Sequence, residues 1–204
     1  HHFSDASQRA FGCCSYLRCV NSQGQISVMF VMSKSRLAPL KSVTIPRLEL
    51  QAAVLAAQMD AMLRNQLELD LLESCFWVDS EIVLKYIKNE TSRFHVFVGN
   101  RVSIIRDLTK PSQWRHVLGV ENPADLLTRE QTVHSLDFDK WFHGPKFLHT
   151  FKSDWKEVKI DVSLSSDDPE VKSDLAVKKS SCVTTLTMEI AADPVFQLIN
   201  HYSN

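Results

Sequence analysis

The chain has 204 residues, of which 44% are hydrophobic, so it can bury one substantial core. Its 23 Lys and Arg and 24 Asp and Glu give a net charge of −1, which excludes a strongly basic surface, although residues 1–130 carry a small positive excess. The five cysteines are an odd number without a Cys-x-x-Cys pair. Neither a disulfide framework nor a structural zinc site is therefore predicted.

The cysteine usage fits a reducing compartment. The sequence has no signal-peptide pattern and no apolar run of about 18 residues. We therefore expect an intracellular protein, in a cytoplasmic particle or in the nucleus, that is not secreted and has no membrane partner. The first residue is His1 rather than Met, and we expect a fragment of a longer protein.

The beginning of the chain predicts an antiparallel meander of three strands. A short strand ends at Asp5, a second strand covers 11–20, and a third covers 26–33 after a polar turn. The first of these is shorter than a typical strand of about five to six residues. We therefore expect the first strand to be truncated.

The following part predicts alternating helices and strands. Pro46 suits the first turn of a helix that runs to about residue 66 with Leu, Met and Ala along one stripe. A fully apolar strand at 75–79 ends in Asp79, and such a run is typical of a central strand. The remaining predicted elements are helices at 80–88 and 94–108, a strand at 114–118, and a helix that starts near Asp125.

Four carboxylates stand at the ends of these predicted elements, beside apolar residues: Asp5, Glu49, Asp79 and Asp125. Taken singly, each has an ordinary explanation as a helix cap or as an acid near the positive end of a helix. Several acids that meet at one point would repel each other unless a divalent cation lay between them. The order strand, helix, strand end and helix start therefore predicts a shared metal site.

Four motifs surround these acids. They are Ser-Asp-Ala-Ser at 4–7, Ile-Pro-Arg-Leu-Glu-Leu-Gln-Ala-Ala at 45–53, Phe-Trp-Val-Asp-Ser at 76–80 and Gly-Val-Glu-Asn-Pro-Ala-Asp-Leu-Leu-Thr-Arg at 119–129. In this order they resemble the ribonuclease H domain of Pol polyproteins, specifically of BEL/Pao-type LTR retrotransposons. The resemblance covers residues 1–148 and extends only loosely into the tail.

The resemblance implies an α/β fold with a ribonuclease H-like five-stranded mixed sheet, in which the first three strands are antiparallel and helices cover both faces. We expect the ribonuclease H-like domain at 1–150, with its first strand truncated. A polar segment at 151–185 is predicted to be a flexible linker. Residues 186–204 resemble the start of a helical segment that leads towards the integrase region.

The resemblance also implies an activity, the Mg²⁺-dependent cleavage of the RNA strand of RNA/DNA hybrids by two-metal in-line hydrolysis. Asp5 and Asp79 would be ligands of both Mg²⁺ ions, for which Mn²⁺ could substitute. Glu49 would also help to fix the ribose 2′-hydroxyl, which marks the RNA strand. Asp125 would be the more mobile ligand.

Three further residues in the motifs are candidate substrate contacts: Ser7, Ser80 and Asn122. The implied partners are the RNA/DNA hybrid and the neighbouring reverse transcriptase and integrase regions of the same polyprotein.

Two other functions stay open at this point. The truncated first strand favours a non-catalytic ribonuclease H-like module that serves as a tether or interaction module in Pol. An integrase-type core that cuts DNA is less favoured, because it would place a Glu rather than Asp125 as the last acid.

His116 is predicted to be a half-buried strand residue rather than a catalytic base. Four aromatic residues are predicted to pack across the domain rather than to stack on bases: Trp141, Phe142, Phe147 and Phe151.

Overall fold

The computed structural model describes residues 1–130, 132, 137–155, 158, 160–165 and 167–172. The predicted segment at 186–204 lies outside these residues. No helix in the described part of the chain combines the length and the apolar character that a membrane crossing requires.

A five-stranded mixed sheet forms the centre of the fold, in the order β3-β2-β1-β4-β5. The strands are β1 (His2–Ala6), β2 (Ala10–Val20), β3 (Ile26–Leu37), β4 (Phe76–Val78) and β5 (Trp114–His116). The first three strands are antiparallel, whereas β4 pairs in parallel with both β1 and β5. This confirms the predicted sheet.

The helices are α1 (Ile45–Gln66), α2 (Glu81–Lys88), α3 (Val96–Leu108), α4 (Asp125–Thr128) and α5 (Phe138–His143). Short 3-10 turns occupy Pro111–Gln113, Gly119–Glu121, Lys146–His149 and Lys152–Asp154. Pro46 lies in the first turn of α1 and the Ser80 hydroxyl accepts the backbone N–H of Val83 to cap α2, as expected for these residue types.

The predicted element order is correct, but several boundaries differ; β4, for example, is Phe76–Val78 rather than 75–79, and β5 is Trp114–His116 rather than 114–118. Strand β3 continues to Leu37 rather than ending at residue 33, because its whole length pairs with β2. Helix α3 begins at Val96 rather than at residue 94, since Phe94 forms an isolated antiparallel bridge with Val171.

One face of the sheet packs against α1, α2 and α3. Small residues of α1, Ala52, Ala53 and Ala56, are buried and let the helix approach the strands closely. This contact places the N-terminal part of α1 beside the end of β4, where Asp79 follows Val78.

The opposite face is covered by the segment after α4. Its core contains Phe3, Trp77 and Leu148 from three parts of the chain, with Trp141 and Phe147 packed against them. The predicted packing role is therefore confirmed for Trp141 and Phe147. Phe142 and Phe151 belong to the same segment, but about half of each residue is exposed.

The predicted linker starts at residue 151, yet its described part makes many contacts with the domain. We call residues 160–165 and 167–172 the strap. Ile160 and Leu164 of the strap pack against the main core, and Glu170 is buried. A few apolar side chains and the ion pair of Glu170 with Arg47 hold these residues against the domain, although the segment is polar on average.

Candidate active site

The ends of the two central parallel strands bring Asp5 and Asp79 together. Ser4 of β1 is paired with Val78 of β4, and each acid is the next residue along its chain. Neighbouring strands lie about 4.8 Å apart, so the two backbones carry their carboxylates side by side. Asp5 is buried and Asp79 is partly buried.

Glu49 approaches this point from α1, on the face of the sheet that the helices cover. It lies near the N-terminus of α1 and is partly buried. A hydrogen bond from the side chain of Ser80, the residue after Asp79, opposes the rise in the pKa of Glu49. Glu49 therefore lies near the end of β4.

Asp125 approaches from the other face, as the first residue of α4. Its Oδ1 forms an ion pair with Arg129 Nε at a distance of 2.5 Å, and its side chain is 26% exposed. Asp125 is thus partly exposed, with a cation already beside it.

The pKa values show that the four carboxylates are electrostatically coupled. Burial raises the pKa of Asp5 to about 7, and the charges of Asp79 and Asp125 raise it further, whereas a hydrogen bond from Thr128 opposes the shift. Burial also raises the pKa of Glu49 and of Asp79. Asp79 contributes to the rise at Glu49, and Asp125 contributes to the rise at Asp79.

This coupling means that the fold holds several acids close together against their mutual repulsion. The structure thereby places Asp5, Asp79 and Asp125 within electrostatic reach of each other, and Glu49 within reach of Asp79. A cavity of about 680 Å³ lies at the opposite end of the strands, lined by residues such as His2 and Asp60, and contains none of the four acids. Asp5 and Asp79 instead lie at the C-terminal ends of the central strands β1 and β4.

Asn122 makes buried hydrogen bonds next to the acids. It is completely buried, and its Nδ2 donates to the carbonyl of Ser4 at 3.0 Å while its Oδ1 accepts the N–H of Ala124 at 3.1 Å. A further hydrogen bond from its side chain lowers the pKa of Asp79. One amide therefore connects the strand of Asp5, the carboxylate of Asp79 and the start of α4.

The three predicted substrate contacts are all engaged with the protein. The Ser7 hydroxyl donates to the carbonyl of Thr128 at 2.7 Å and accepts the N–H of Ala10 at 3.2 Å. Ser80 caps α2 and bonds Glu49. Asn122 has no exposed surface, so its position differs from that of a direct substrate contact.

Sequence reasoning missed Thr128, which is buried and donates a hydrogen bond from Oγ1 to Oδ2 of Asp5. The only available signal was its place three residues after Asp125, on the same side of a short helix. His116, predicted to be an ordinary strand residue, is partly buried, and its Nε2 lies 3.1 Å from the carbonyl oxygen of Asp79.

Within the described residues, no three His, Cys, Asp or Glu side chains are already arranged to hold a metal ion. Each acid is turned towards a protein partner, as Asp125 is towards Arg129 and Asp5 is towards Thr128. The donor set itself fits a hard divalent cation, because it consists of carboxylate oxygens whose ionisation is opposed by burial and by each other.

Taken together, the strand order and the acids at the ends of β1 and β4 define a ribonuclease H-like fold. Residues 1–80 match the family model described as the Pao retrotransposon-like RNaseH-like domain. The match supports an RNase H-like domain of a Pao-type retrotransposon, the family that the motifs resemble. The match includes Asp5, Glu49 and Asp79, and it supports a nuclease-like role in a Pol polyprotein. No curated protein matches the chain.

Proposed function

We propose that this domain is an endoribonuclease that cleaves the RNA strand of RNA/DNA hybrids with two Mg²⁺ ions, as part of a retrotransposon Pol polyprotein. The observation that supports this most directly is the position of Asp5 and Asp79 at the ends of two adjacent parallel strands, with Asp125 at the start of α4 near enough for its charge to raise the pKa of both. The family match over residues 1–80 supports the same class of activity.

The raised pKa values have a consequence for metal binding. Carboxylates that resist ionisation in the metal-free protein become fully ionised once a divalent cation neutralises their repulsion. Bound Mg²⁺ would supply a polarised water and would stabilise charge on the phosphate oxygens. Mn²⁺ has similar oxygen ligands and would substitute.

Each acid has a distinct role in the proposal. Asp5 and Asp79 lie on the rigid sheet and form the fixed part of the site. Glu49 reaches the same point from α1 and would contact the 2′-hydroxyl that distinguishes RNA from DNA.

Asp125 has the more mobile role because it lies on the four-residue helix α4 and is partly exposed. It would exchange its Arg129 partner for the metal when the site is loaded. Arg129, whose side chain is 69% exposed, is then released and can contact a phosphate of the substrate.

We propose the RNA/DNA hybrid as the substrate, and the reverse transcriptase and integrase regions of the same polyprotein as neighbours. The proposed setting is an intracellular particle or the nucleus, where reverse transcription would supply the hybrid.

The test is cleavage of an end-labelled RNA/DNA hybrid by the purified protein, in Mg²⁺, in Mn²⁺ and in EDTA, with duplex DNA and single-stranded RNA as the other substrates. We expect cleavage of the hybrid RNA only, dependent on a divalent cation and abolished in Asp79→Asn. Asp70→Asn is the matched control, because Asp70 is exposed and lies at the opposite end of the sheet. Cleavage that persists in Asp79→Asn would refute the proposal.

A second candidate function is the non-catalytic tether. It is favoured by the partners that already occupy the acids, above all Arg129 on Asp125. Binding of the hybrid without any cleavage in Mg²⁺ or Mn²⁺ would support it. Cleavage of duplex DNA would instead support an integrase-type core.

A further inference from the structure

Thr128 makes a contact that connects two of the acids. It is the last residue of α4 and is buried, with 3% of its surface exposed. Its hydroxyl donates a hydrogen bond to Oδ2 of Asp5, and the same Oγ1 lies 3.3 Å from the backbone carbonyl of Asp125. A hydroxyl has a single hydrogen, and the closer of these two acceptors is the carboxylate.

The backbone around Thr128 is held by the strand that carries Asp5. The hydroxyl of Ser7, two residues after Asp5, donates to the carbonyl of Thr128 at 2.7 Å. The carbonyl and the hydroxyl of Thr128 are therefore both bonded to the end of β1 or to the turn after it. Residue 128 cannot move relative to Asp5 without breaking two hydrogen bonds.

A buried carboxylate needs such a donor. The terminal torsion of an aspartate is broad, so packing alone does not fix the plane of the carboxylate. Asp79 and Asp125 repel the Asp5 carboxylate. Because both Asp5 and Thr128 are buried, bulk water cannot replace the hydroxyl as a donor.

We propose that Thr128 is a positioning residue that fixes the carboxylate of Asp5 for metal binding. This inference rests on the proposed function. The hydroxyl holds Oδ2 and thereby sets the direction of the whole carboxylate, and it ties this direction to the helix that carries Asp125. Groups that orient a metal ligand in this way typically change metal affinity or activity by about 10- to 100-fold when they are removed.

The experiment compares Thr128→Val with Thr128→Ser in the full chain. Valine keeps the branched shape and removes the hydroxyl, whereas serine keeps the hydroxyl. We expect Thr128→Val to lower hybrid cleavage at least about tenfold. The Mg²⁺ concentration that gives half of the maximal thermal stabilisation should rise by a similar factor. Thr128→Ser should restore both to within about threefold of the wild type.

Thr109→Val is the matched control. Thr109 is also buried, donates from Oγ1 to the carbonyl of Ile105 at 2.7 Å and accepts the Trp114 indole N–H at 2.8 Å, far from the acids. Its loss removes at least as many hydrogen bonds from the fold. We expect Thr109→Val to lower the melting temperature but to leave the Mg²⁺ dependence unchanged.

The outcomes separate the two proposals. Equal Mg²⁺ dependence in Thr128→Val and Thr109→Val, in a protein that cleaves the hybrid, would overturn the positioning role alone. A wild-type protein that neither cleaves the hybrid nor is stabilised by Mg²⁺ or Mn²⁺ would overturn the proposed function and this inference with it. Should Thr128→Val fail to fold, Thr128→Cys replaces it, because a thiol has a similar volume and is a much weaker donor.

Discussion

The guanidinium of Arg47 makes two hydrogen bonds to the carboxylate of Glu170, at 2.6 Å from Nε to Oε1 and at 3.2 Å from Nη2 to Oε2. Arg47 lies in the first turn of α1, whereas Glu170 belongs to the strap. The Tyr86 hydroxyl donates to the carboxylate of Asp168 at 3.1 Å close by. The strap is thus fastened across the helical face of the sheet.

The first prediction concerns this ion pair. Arg47→Ala should lower the free energy of unfolding by about 2 kcal/mol, because it leaves the carboxylate of Glu170, with a side chain only 9% exposed, without its cation. The pair of Lys110 and Glu73 is the control, since both side chains are mostly exposed. Lys110→Ala should change stability by no more than about 0.5 kcal/mol. Urea denaturation of both variants measures the difference, and equal effects would contradict the prediction.

The strap also shows what could not be predicted from the sequence. Its composition is polar, and nothing along the chain indicates that Glu170 will meet Arg47, which is 123 residues away. The ion pair of Arg47 with Glu170 forms only after α1 and α3 have packed together, and this packing is a property of the assembled core. Residue patterns alone therefore do not predict the contacts of the strap.

The sheet, and the position of the acids at the ends of its elements, were predictable because their sequence signals are local. The apolar run that ends in Asp79 and the alanines after Glu49 are local patterns with a direct structural meaning. Thr128 was not predictable in this way, because its role arises from a contact with Asp5 that joins the two ends of the domain. Asn122 was recognised as part of a motif, but its complete burial depends on packing between β1 and α4.

The second prediction concerns Asn122. Asn122→Ala should destabilise the fold by about 2 to 4 kcal/mol, since it leaves the buried carbonyl of Ser4 without a donor. It should also lower cleavage per folded molecule, because Asp79 loses a hydrogen bond from the same amide.

Asn89→Ala is the control for Asn122→Ala. Asn89 is also buried, and its Oδ1 accepts the backbone N–H of Thr91 at 3.1 Å and of Ser92 at 2.8 Å, away from the acids. We expect this variant to lose stability but to keep cleavage per folded molecule. Circular dichroism gives the folded fraction, and the hybrid assay gives the rate. A rate that falls equally in both variants would show that Asn122 has no specific effect on the site.

The third prediction concerns stability in acid. His2 is buried, with its Nε2 3.0 Å from Oδ1 of Asp60 and its Nδ1 2.8 Å from Oγ of Ser15. Burial lowers the pKa of His2 from 6.5 to about 4, despite the hydrogen bond with Asp60. The unfolded chain therefore binds this proton more readily between these two values, and stability is lost as the pH falls from about 6.5 to 4.

In His2→Gln, this part of the pH dependence should disappear. The wild type should lose about 2 to 3 kcal/mol more free energy of unfolding than the variant between about pH 6.5 and 4. Other groups face the same position, namely the carboxylate of Asp60 and the guanidinium of Arg64. The difference between wild type and variant isolates His2 from them. Urea denaturation at several values of pH measures it, and parallel curves for the two proteins would contradict the prediction.

The fourth prediction concerns Asp5 in the absence of metal. Burial raises the pKa of Asp5 from 3.8 to about 7, so the folded protein holds a proton that the unfolded chain releases. The stability associated with this group is fully present below about pH 4 and is lost as the pH rises through 7. Asp5→Asn removes the charge, and in EDTA at pH 8 it should be more stable than the wild type by about 2 kcal/mol.

Asp5→Asn should thus abolish cleavage while it stabilises the fold, which is the opposite of what a damaged core residue does. The gain should shrink as the pH falls towards 5, because the wild-type carboxyl then becomes protonated in the folded state. Adding Mg²⁺ should stabilise the wild type but not the variant. Asp70→Asn, which changes an exposed acid, should show neither effect. If the variant is instead less stable than the wild type at pH 8, the Asp5 carboxylate stabilises the fold. The electrostatic repulsion that we take as the sign of a functional cluster would then be absent.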